Sequence, residues 1–461
     1  MARAARPARD RVSAMTAIGL HTFGRGGIHP DPSKQATSWR PIEALPPPAE
    51  VRLPLLQHIG AAAEPVVKKG DCVRRGQKVA EAVDSGAPIH ATISGKVKPI
   101  EKHPHPTLAV APAIVIARTG DAEGELEFPE DPEWRACPTD GMLARIREAG
   151  IVGLGGAAFP TWRKLTLPRG TGVDTLIVNG AECEPYLTAD FRVMVEHARE
   201  AVEGGRIMAR IVGAARLLIG VEADKPRAIR ALQDALPLLP PGIAAHVVPC
   251  EARYPQGAER QLVAAVTGRV VPPRALPTAV GVLVQNVATA VAVHDAVRYR
   301  RPLLDRVLTV TGPGVIIPRN LRVPVGTLVS EALAFCGGLS NQANRIVAGG
   351  PMMGRTLPRL DVPITKGMNG IVVLEGHGPF VDGYGPCIRC GRCLEACPLA
   401  LEPDQVSIRV EAGRPLETAP FGAHECYECG CCTYVCPAER PLVQFMQVAK
   451  SALRRADRLE A

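Results

Sequence analysis

Aromatic side chains are scarce in this 461-residue chain, with Phe, Trp and Tyr together making up 4 % of it. Long hydrophobic runs are missing too. The most apolar window, Pro277 to Val297, carries Gln285, Asn286, Thr289, His294 and Asp295, all costly in hydrocarbon, so no membrane span is expected. The amino end lacks the apolar stretch that a secretory signal needs. No repeat of fixed period occurs beyond one cysteine pattern, and no nucleic-acid recognition motif accompanies the basic residues, which argues against a nucleic-acid partner. What is present is an ordinary hydrophobic content of 46 % with abundant glycine and proline, the composition of a globular, loop-rich chain that is not disordered. Its length exceeds what one core can support and implies roughly three domains plus a cysteine module. The formal charge of +8 is spread along the sequence, although MARAARPARDRVSAM at the start and KSALRRADR near the end are locally basic. Such segments are read as solvated termini or as attracted to an acidic surface, and Met15 is an alternative start.

Fourteen cysteines would suit a disulfide framework, but Cys72, Cys137, Cys183, Cys250, Cys336 and Cys431 are scattered without one, which implies a reducing compartment. The other eight form C-x2-C-x2-C-x3-C-P twice: Cys387, Cys390, Cys393, Cys397 with Pro398, and Cys426, Cys429, Cys432, Cys436 with Pro437. Three thiolates on one turn and a fourth just beyond provide the ligands of a cubane [4Fe–4S] cluster. A pair of structural zinc sites is the alternative, but zinc needs two C-x2-C knuckles per ion and leaves the third spaced cysteine and the Cys-Pro unexplained. The doubled run resembles that of two-cluster ferredoxins. That resemblance implies crossed ligation, with Cys387, Cys390, Cys393 and Cys436 on one cluster and Cys426, Cys429, Cys432 and Cys397 on the other. Cys431 reads as a bystander.

The pattern along the chain predicts an α/β multidomain protein. Residues 1–48 read as an extended lead-in rich in Gly, Pro and His. Residues 49–136 hold short β-like runs with turn signals at Lys69-Gly70-Asp71 and Ser94-Gly95. They resemble the barrel-sandwich hybrid of biotinyl and lipoyl carrier domains, but the hairpin tip reads Asp84, Ser85, Gly86 and offers no carrier lysine. In 137–304, the runs 173–179, 215–221 and 244–250 are of buried parallel-strand type. Helical stretches Asp190 to Val212 and Pro226 to Leu236 lie between them, so a Rossmann-like sheet is expected. Residues 305–375, with a helix from Leu328 to Phe335, resemble a soluble-ligand-binding (SLBB) β-grasp module. The Gly/Pro stretch 376–386 predicts a flexible boundary before a helical two-cluster ferredoxin domain, 376–461. That domain is expected to contain a helix around Asp404 to Val410 and an amphipathic helix from Pro441 to Leu459 whose apolar face carries Leu442, Phe445, Met446, Ala449 and Leu453.

Three loop sets in the α/β domain carry a second chemistry. GLGGAAFPTWRK, Gly153 to Lys164, lets backbone N–H groups approach an anion closely, with Lys164 adding charge; an unliganded tight turn explains such a loop about as well. NGAECEPY, Asn179 to Tyr186, follows a strand at the carboxyl edge of the sheet, where ligands of open α/β sheets bind. RYPQGAERQ, Arg253 to Gln261, and QNVAT, Gln285 to Thr289, complete the set. The histidines His29, His90, His103 and His105 read as turn or surface residues.

These loops resemble the flavin-binding subunit of respiratory NADH dehydrogenase. From about residue 20 to 450 the chain resembles the RnfC family of the Rnf ion-translocating NADH:ferredoxin oxidoreductase. The signatures are HTFGRGGIHP, LPLLQHIGA, SGKVKPIE, GLGGAAFPT, LIVNGAECEPYLTAD, YPQGAE, QNVATA, GGPMMG and both cysteine runs. The resemblance implies noncovalent FMN surrounded by Gly153, Gly155, Gly156, Lys164, Asn179, Glu182, Gly257, Glu259 and Asn286. It also implies Phe159 stacked on the nicotinamide or adenine of NADH, and Glu184 accepting a hydrogen bond from NADH. Ala181 stands where the respiratory subunit has an aspartate, which puts the division of roles between Glu182 and Glu184 in question. By the same resemblance the chain is a peripheral subunit on the cytoplasmic face of the inner membrane. Its partners are the other subunits of a membrane Rnf complex, with ferredoxin reached indirectly. A microcompartment cobalamin reductase is the enzymatic alternative, disfavoured because its flavin domain comes first. A nonenzymatic electron-relay or docking subunit is the other, disfavoured because the Gly-rich loop and Glu184 are intact.

Overall fold

A computed structural model describes residues 19–119, 124–240, 242–376 and 383–460, the side chains of 459 and 460 excepted. The basic first fifteen residues, Met15 included, and residues 377–382 of the Gly/Pro stretch lie outside the described residues. Among the described residues no helix is long and apolar enough to cross a membrane.

The sandwich domain consists of two small antiparallel sheets. One runs in the order Glu50–Pro54, Val110–Arg118, Gly95–Val97, Cys72–Val73, and the other in the order Glu64–Pro65, Lys78–Glu81, Ile89–His90. Alternation along Glu50–Pro54 turns Val51 and Leu53 inward, onto Val79, Ile89, Ile114 and Ile116, as a half-buried strand requires. The tip without a carrier lysine is docked: Trp162 Nε1 donates to the Gly86 carbonyl at 2.9 Å. A Cβ on Gly86 would stand 2.7 Å from His58 Nε2.

The three expected strands and a fourth form one parallel sheet in the order Ala244–Cys250, Arg216–Glu222, Thr175–Gly180, Val282–Asn286. The fourth strand occupies part of the apolar window that begins at Pro277. The single helix expected over Asp190 to Val212 is two, Ala189–Glu196 and Ala198–Val212, separated by His197 at φ −128°, ψ 38°. The break falls where Arg322, from another domain, donates to His197 Nε2 at 2.8 Å, a contact without local sequence signal. Gly204 lets Ala198–Val212 approach Val287–Tyr299, since a Cβ there would overlap the Ala290 carbonyl.

The β-grasp sheet has the order Ile42–Ala44, Arg319–Pro324, Asp305–Thr311, Gly370–Glu375, Ala343–Ala348, Arg355–Thr356, with the helix Val329–Phe335 against it. Its first strand comes from the lead-in, expected to lack regular structure. Residues 42–44 pair in parallel with 320–322 and cover an otherwise open sheet edge. The cluster module carries helices Arg392–Ala396, Pro403–Glu411, Cys431–Tyr434 and Leu442–Glu460. The last buries Leu442, Met446, Ala449 and Leu453, as its spacing predicts; Phe445 is half-buried, edge-on to Tyr384.

Two fully buried basic side chains tie the domains together. Lys366 Nζ donates to Pro88 O in the sandwich and Gly150 O in the α/β domain, both at 2.8 Å. The Arg306 guanidinium reaches from the β-grasp sheet to Leu154 O in the Gly-rich loop and to Met368 O. Burying polar groups is tolerated only where their donors are used, and both side chains donate to main-chain carbonyls. The flexible boundary expected at 376–386 does not leave the cluster module apart, because its surface packs on the α/β domain and on the lead-in. Tyr254 Oη donates to Cys429 O at 2.6 Å, Tyr427 Oη to Gln261 Oε1 at 2.9 Å, and Gly27 N to Ala396 O at 2.9 Å. Arg260 pairs with Glu425 at 3.1 Å.

Burial lowers the Lys366 amine to about 7, while an unfolded lysine titrates near 10.4. Between these values the unfolded chain holds a proton that the folded chain lacks, so this group makes stability rise with pH. Compared with Lys366→Met, the wild type is expected to gain about 1.4 kcal/mol per pH unit from roughly pH 7 to 9. Urea unfolding of both proteins across that range measures the difference; parallel pH profiles would show that the amine stays charged when buried.

Candidate functional site

At the carboxyl edge of the parallel sheet four segments meet. The strand Thr175–Gly180 delivers Asn179, whose Nδ2 donates to Gly257 O at 2.8 Å and whose Oδ1 accepts from Ala181 N at 3.1 Å. The strand Val282–Asn286 delivers Asn286, whose Oδ1 caps the helix Val287–Tyr299 by accepting from Ala288 N and Thr289 N. Its Nδ2 donates to Asp190 Oδ2 at 2.6 Å. Gly155 lies against Asn286, where a Cβ would be 3.3 Å from that residue's own Cβ. Thr289 Oγ1 accepts from Leu154 N at 2.9 Å, so the Gly-rich loop is held over the start of this helix. Lys164, on the short helix Thr161–Leu165, and Glu259, at the start of the helix Glu259–Thr267, form an ion pair at 2.6 Å. The structure therefore brings together Gly155, Asn286, Asn179, Gly257, Lys164 and Glu259.

The loop itself is shaped for a ligand. Gly156 has φ +108° with open space on its side-chain face, and Gly153 N closes the turn by donating to Phe159 O at 2.8 Å. Phe159 is partly exposed beside it. Within the same segments, Asp190 Oδ1, both amide atoms of Gln256, and Gln285 Nε2 are buried without a hydrogen-bond partner among the described residues. Unmatched buried polar atoms are rare in a finished interior. Together with the glycine cradle they fit a polar, anionic prosthetic group such as FMN.

The two glutamates are committed more heavily than the sequence suggests. Glu182, at φ +48°, accepts from Asp190 N at 2.6 Å and Phe191 N at 3.0 Å, which caps the helix Ala189–Glu196. Burial raises its carboxyl to about 7; Lys34 opposes that shift and Asp190 adds to it. Lys34 Nζ donates to Glu182 O and Leu187 O, both at 2.7 Å. Glu184 accepts from Met352 N at 3.0 Å and Met353 N at 2.9 Å, donors that belong to the β-grasp domain. Burial pushes its carboxyl up to about 7 against those two N–H groups and Lys34. Each Glu184 oxygen already holds one donor and keeps capacity for a second.

The cysteines fall in two adjoining neighbourhoods, with Cys432 between them: it clusters with Cys393, Leu442 and Cys436 and also lies near Cys429, Cys426 and Cys397. One small cavity is lined by Cys387, Cys390, Cys393 and Cys436, with Asp404, Arg440 and Leu442 around it. Ile388 beside it is 65 % exposed. Cys397 packs with Leu401, Val406 and Ala423, against Cys426. Cys429 adjoins Tyr254, Ile28, Ala396 and Cys431. Among the described residues no three His, Cys, Asp or Glu side chains stand close enough for one metal ion, and a cubane, wider than a single ion, needs a looser quartet. Cys431 is fully buried, its Sγ 4.0 Å from Tyr254 O. Of the histidines, His29 is exposed, with Nδ1 3.1 Å from Ala252 O, whereas His90 is buried and its imidazole is pushed down to about 3 by desolvation.

Sequence reasoning gave no role to Lys34, Asp190, Tyr254, Arg306, Met352 or Met353. Asp190, Tyr254 and the two methionines lie inside quoted signatures, which marked their segments but not their partners. Nothing local marks Lys34 or Arg306.

Residues 21–121 match the family described as RnfC barrel sandwich hybrid domain, 146–295 the Nuo51 FMN-binding domain, 307–356 the SLBB domain and 386–439 the 4Fe-4S dicluster domain. One relative, from a proton-translocating ferredoxin:NAD+ oxidoreductase complex of Clostridium ljungdahlii, is 44 % identical over 438 residues, covering 95 % of each chain. Another, from an ion-translocating oxidoreductase complex of Rhodobacter capsulatus, is 45 % identical, over 94 % of this chain and 84 % of its own length. Among solved structures, a chain of an NAD+-reducing [NiFe]-hydrogenase has a TM-score of 0.50 at 19 % identity, over 70 % of this chain and 65 % of that one; this is a likeness of fold.

The cavity groups Cys436 with the first run rather than its own. Cys436→Ser is therefore expected to change the EPR spectrum in the same way as Cys387→Ser. A spectrum matching that of Cys426→Ser instead would show that each run holds its own cluster.

Proposed function

The chain belongs to the RnfC family of ion-translocating ferredoxin:NAD+ oxidoreductase complexes, and from that membership we propose how its own residues serve electron transfer. It is an oxidoreductase subunit of a multi-subunit complex, with FMN and two [4Fe–4S] clusters as cofactors. FMN exchanges hydride with NADH and single electrons with clusters, so the hard chemistry is the cofactors' and the protein supplies position and electrostatics.

In this reading Gly153, Gly155 and Gly156 cradle the flavin's phosphate end, and the Lys164–Glu259 pair closes one side. Asn179, Gly257 and Asn286 fix the crevice floor, with Glu182 holding its shape through the helix that starts at Ala189. Phe159 offers a partly exposed ring to the nucleotide, and Glu184 accepts from it. The quartet Cys426, Cys429, Cys432 and Cys397 stands next to the α/β domain, while Cys387, Cys390, Cys393 and Cys436 stand at the outer surface. The observation that carries this order is the hydrogen bond from Tyr254 to the Cys429 carbonyl, on a residue three positions from Gly257. Electrons then leave through the outer quartet to another member of the complex, with ferredoxin reached through that partner. The chain's seat is peripheral, on the cytoplasmic face.

Flavin and iron analysis of the purified chain, with EPR after NADH addition, tests the whole reading; clusters that stay EPR-silent while bound flavin is reduced would refute the internal route.

Glu184 provides a sharper test. Its carboxyl, raised to about 7, is an ionised acceptor above that pH and protonated below it. The KM for NADH is expected to rise several-fold as pH falls from 8 to 6. Glu184→Gln should flatten that dependence and cost about 1–3 kcal/mol of NADH binding with FMN retained. Loss of FMN with unchanged NADH affinity would assign Glu184 to the flavin.

A further inference from the structure

We propose that the loop Gly349–Gly354 of the β-grasp domain is a wall of the nucleotide site, and that the main-chain N–H groups of Met352 and Met353 set the position of Glu184. The inference rests on reading Glu184 as the nucleotide's acceptor. Three features of the loop carry it.

The first is the fork of donors. Met352 N meets Glu184 Oε2 at 3.0 Å and Met353 N meets Oε1 at 2.9 Å, so both oxygens are oriented by consecutive N–H groups of one turn. Side-chain partners rearrange through rotamers, whereas main-chain donors move only with their loop. The second is steric. Gly350 faces the same carboxylate so closely that a Cβ there would overlap Glu184 Oε2, and a Cβ on Gly354 would overlap the Gly350 carbonyl. The loop closes through Gly354 N to Gly350 O and is tied to its sheet through Gly349 N to Gly370 O, each at 2.8 Å. The third is continuity with the cluster module. Met352 packs against the cluster of Ile28, Tyr254, Ala396 and Cys431, as Cys183 and Cys429 also do, and its carbonyl lies 3.1 Å from where a Cβ of Gly430 would stand. One short loop therefore touches both the carboxylate at the nucleotide crevice and the turn that carries Cys429.

This gives the β-grasp domain a role in positioning. Its second loop acts similarly on the Gly-rich segment, where a Cβ on Gly367 would stand 3.0 Å from the Ala158 Cβ. Glu184 is thus a residue of the α/β domain whose geometry is dictated from 168 positions away.

The test compares Gly350→Ala, Glu184→Gln and the double variant in the full chain carrying FMN and clusters, with ferricyanide as acceptor. Gly350→Ala is expected to raise the KM for NADH at least fivefold, with kcat, flavin content and iron content unchanged. The double variant should be no worse than Glu184→Gln alone, because both changes act through one carboxylate. A raised KM in Glu184→Gln with an unaltered KM in Gly350→Ala, or effects that multiply, would overturn the loop's role while sparing Glu184. An unaltered KM in Glu184→Gln would overturn the reading of Glu184 itself. Amide hydrogen exchange in the wild-type fold provides a second readout should Gly350→Ala fold poorly. NADH should slow exchange across 349–354 in the wild type and not in Glu184→Gln; a loop indifferent to NADH in both would refute the proposal.

Discussion

A single phenol–carbonyl hydrogen bond, Tyr254 to Cys429, marks the constraint around which the molecule is organised. The flavin loops and the cysteine runs belong to different domains, and the distance between their cofactors is set by how those domains pack against each other. The contact is made by Ile28 from the lead-in, Tyr254 from the α/β domain and Ala396 and Cys431 from the cluster module, with Met352 of the β-grasp domain at its side. Tyr254 and Ile28 exchange two main-chain hydrogen bonds at 2.8 and 2.9 Å. Four segments distant in sequence converge on one small apolar junction. A change that loosened it would leave both cofactor sites intact and separate them.

The rest of the architecture holds this junction and the crevice behind it in place. Arg306 pins the Gly-rich loop to the β-grasp sheet, Lys366 pins the sandwich to the α/β domain, and Lys34 pins the lead-in under Glu182. Arg306 and Lys366 are buried and Lys34 is half-buried, and all three donate to main-chain carbonyls. A buried amine or guanidinium is costly unless its donors are used. Such residues therefore specify one arrangement of domains, because any other arrangement strands a charge. The sandwich domain is held at its tip, where the Gly86 carbonyl accepts from Trp162 Nε1.

Local patterns were readable from the chain. The runs ending at Asn179, Val221 and Cys250 are strands within a residue or two, because continuous apolar stretches bounded by turns have few other solutions. The last helix buries the face its spacing predicts. Long-range partners were not readable. The helix break at His197 follows from Arg322, and the pairing of 42–44 depends on a sheet edge formed nearly 280 positions later. The site shows the same division. Glycine spacing and the Asn–Glu loop located the crevice, yet Glu182 spends its carboxylate on a helix cap and Glu184 on a loop from another domain. Residue type announces an acceptor; which donor it meets is settled by the fold.

The central claim is that the quartet Cys426, Cys429, Cys432 and Cys397 lies between the flavin crevice and the outer quartet. Rapid-freeze EPR of the full chain mixed with NADH, wild type against Cys426→Ser, tests it most directly. In the variant the flavin is expected to be reduced at the wild-type rate while the cluster at Cys387, Cys390, Cys393 and Cys436 stays oxidised. Reduction of that outer cluster at the wild-type rate, with the inner one lost, would contradict the account.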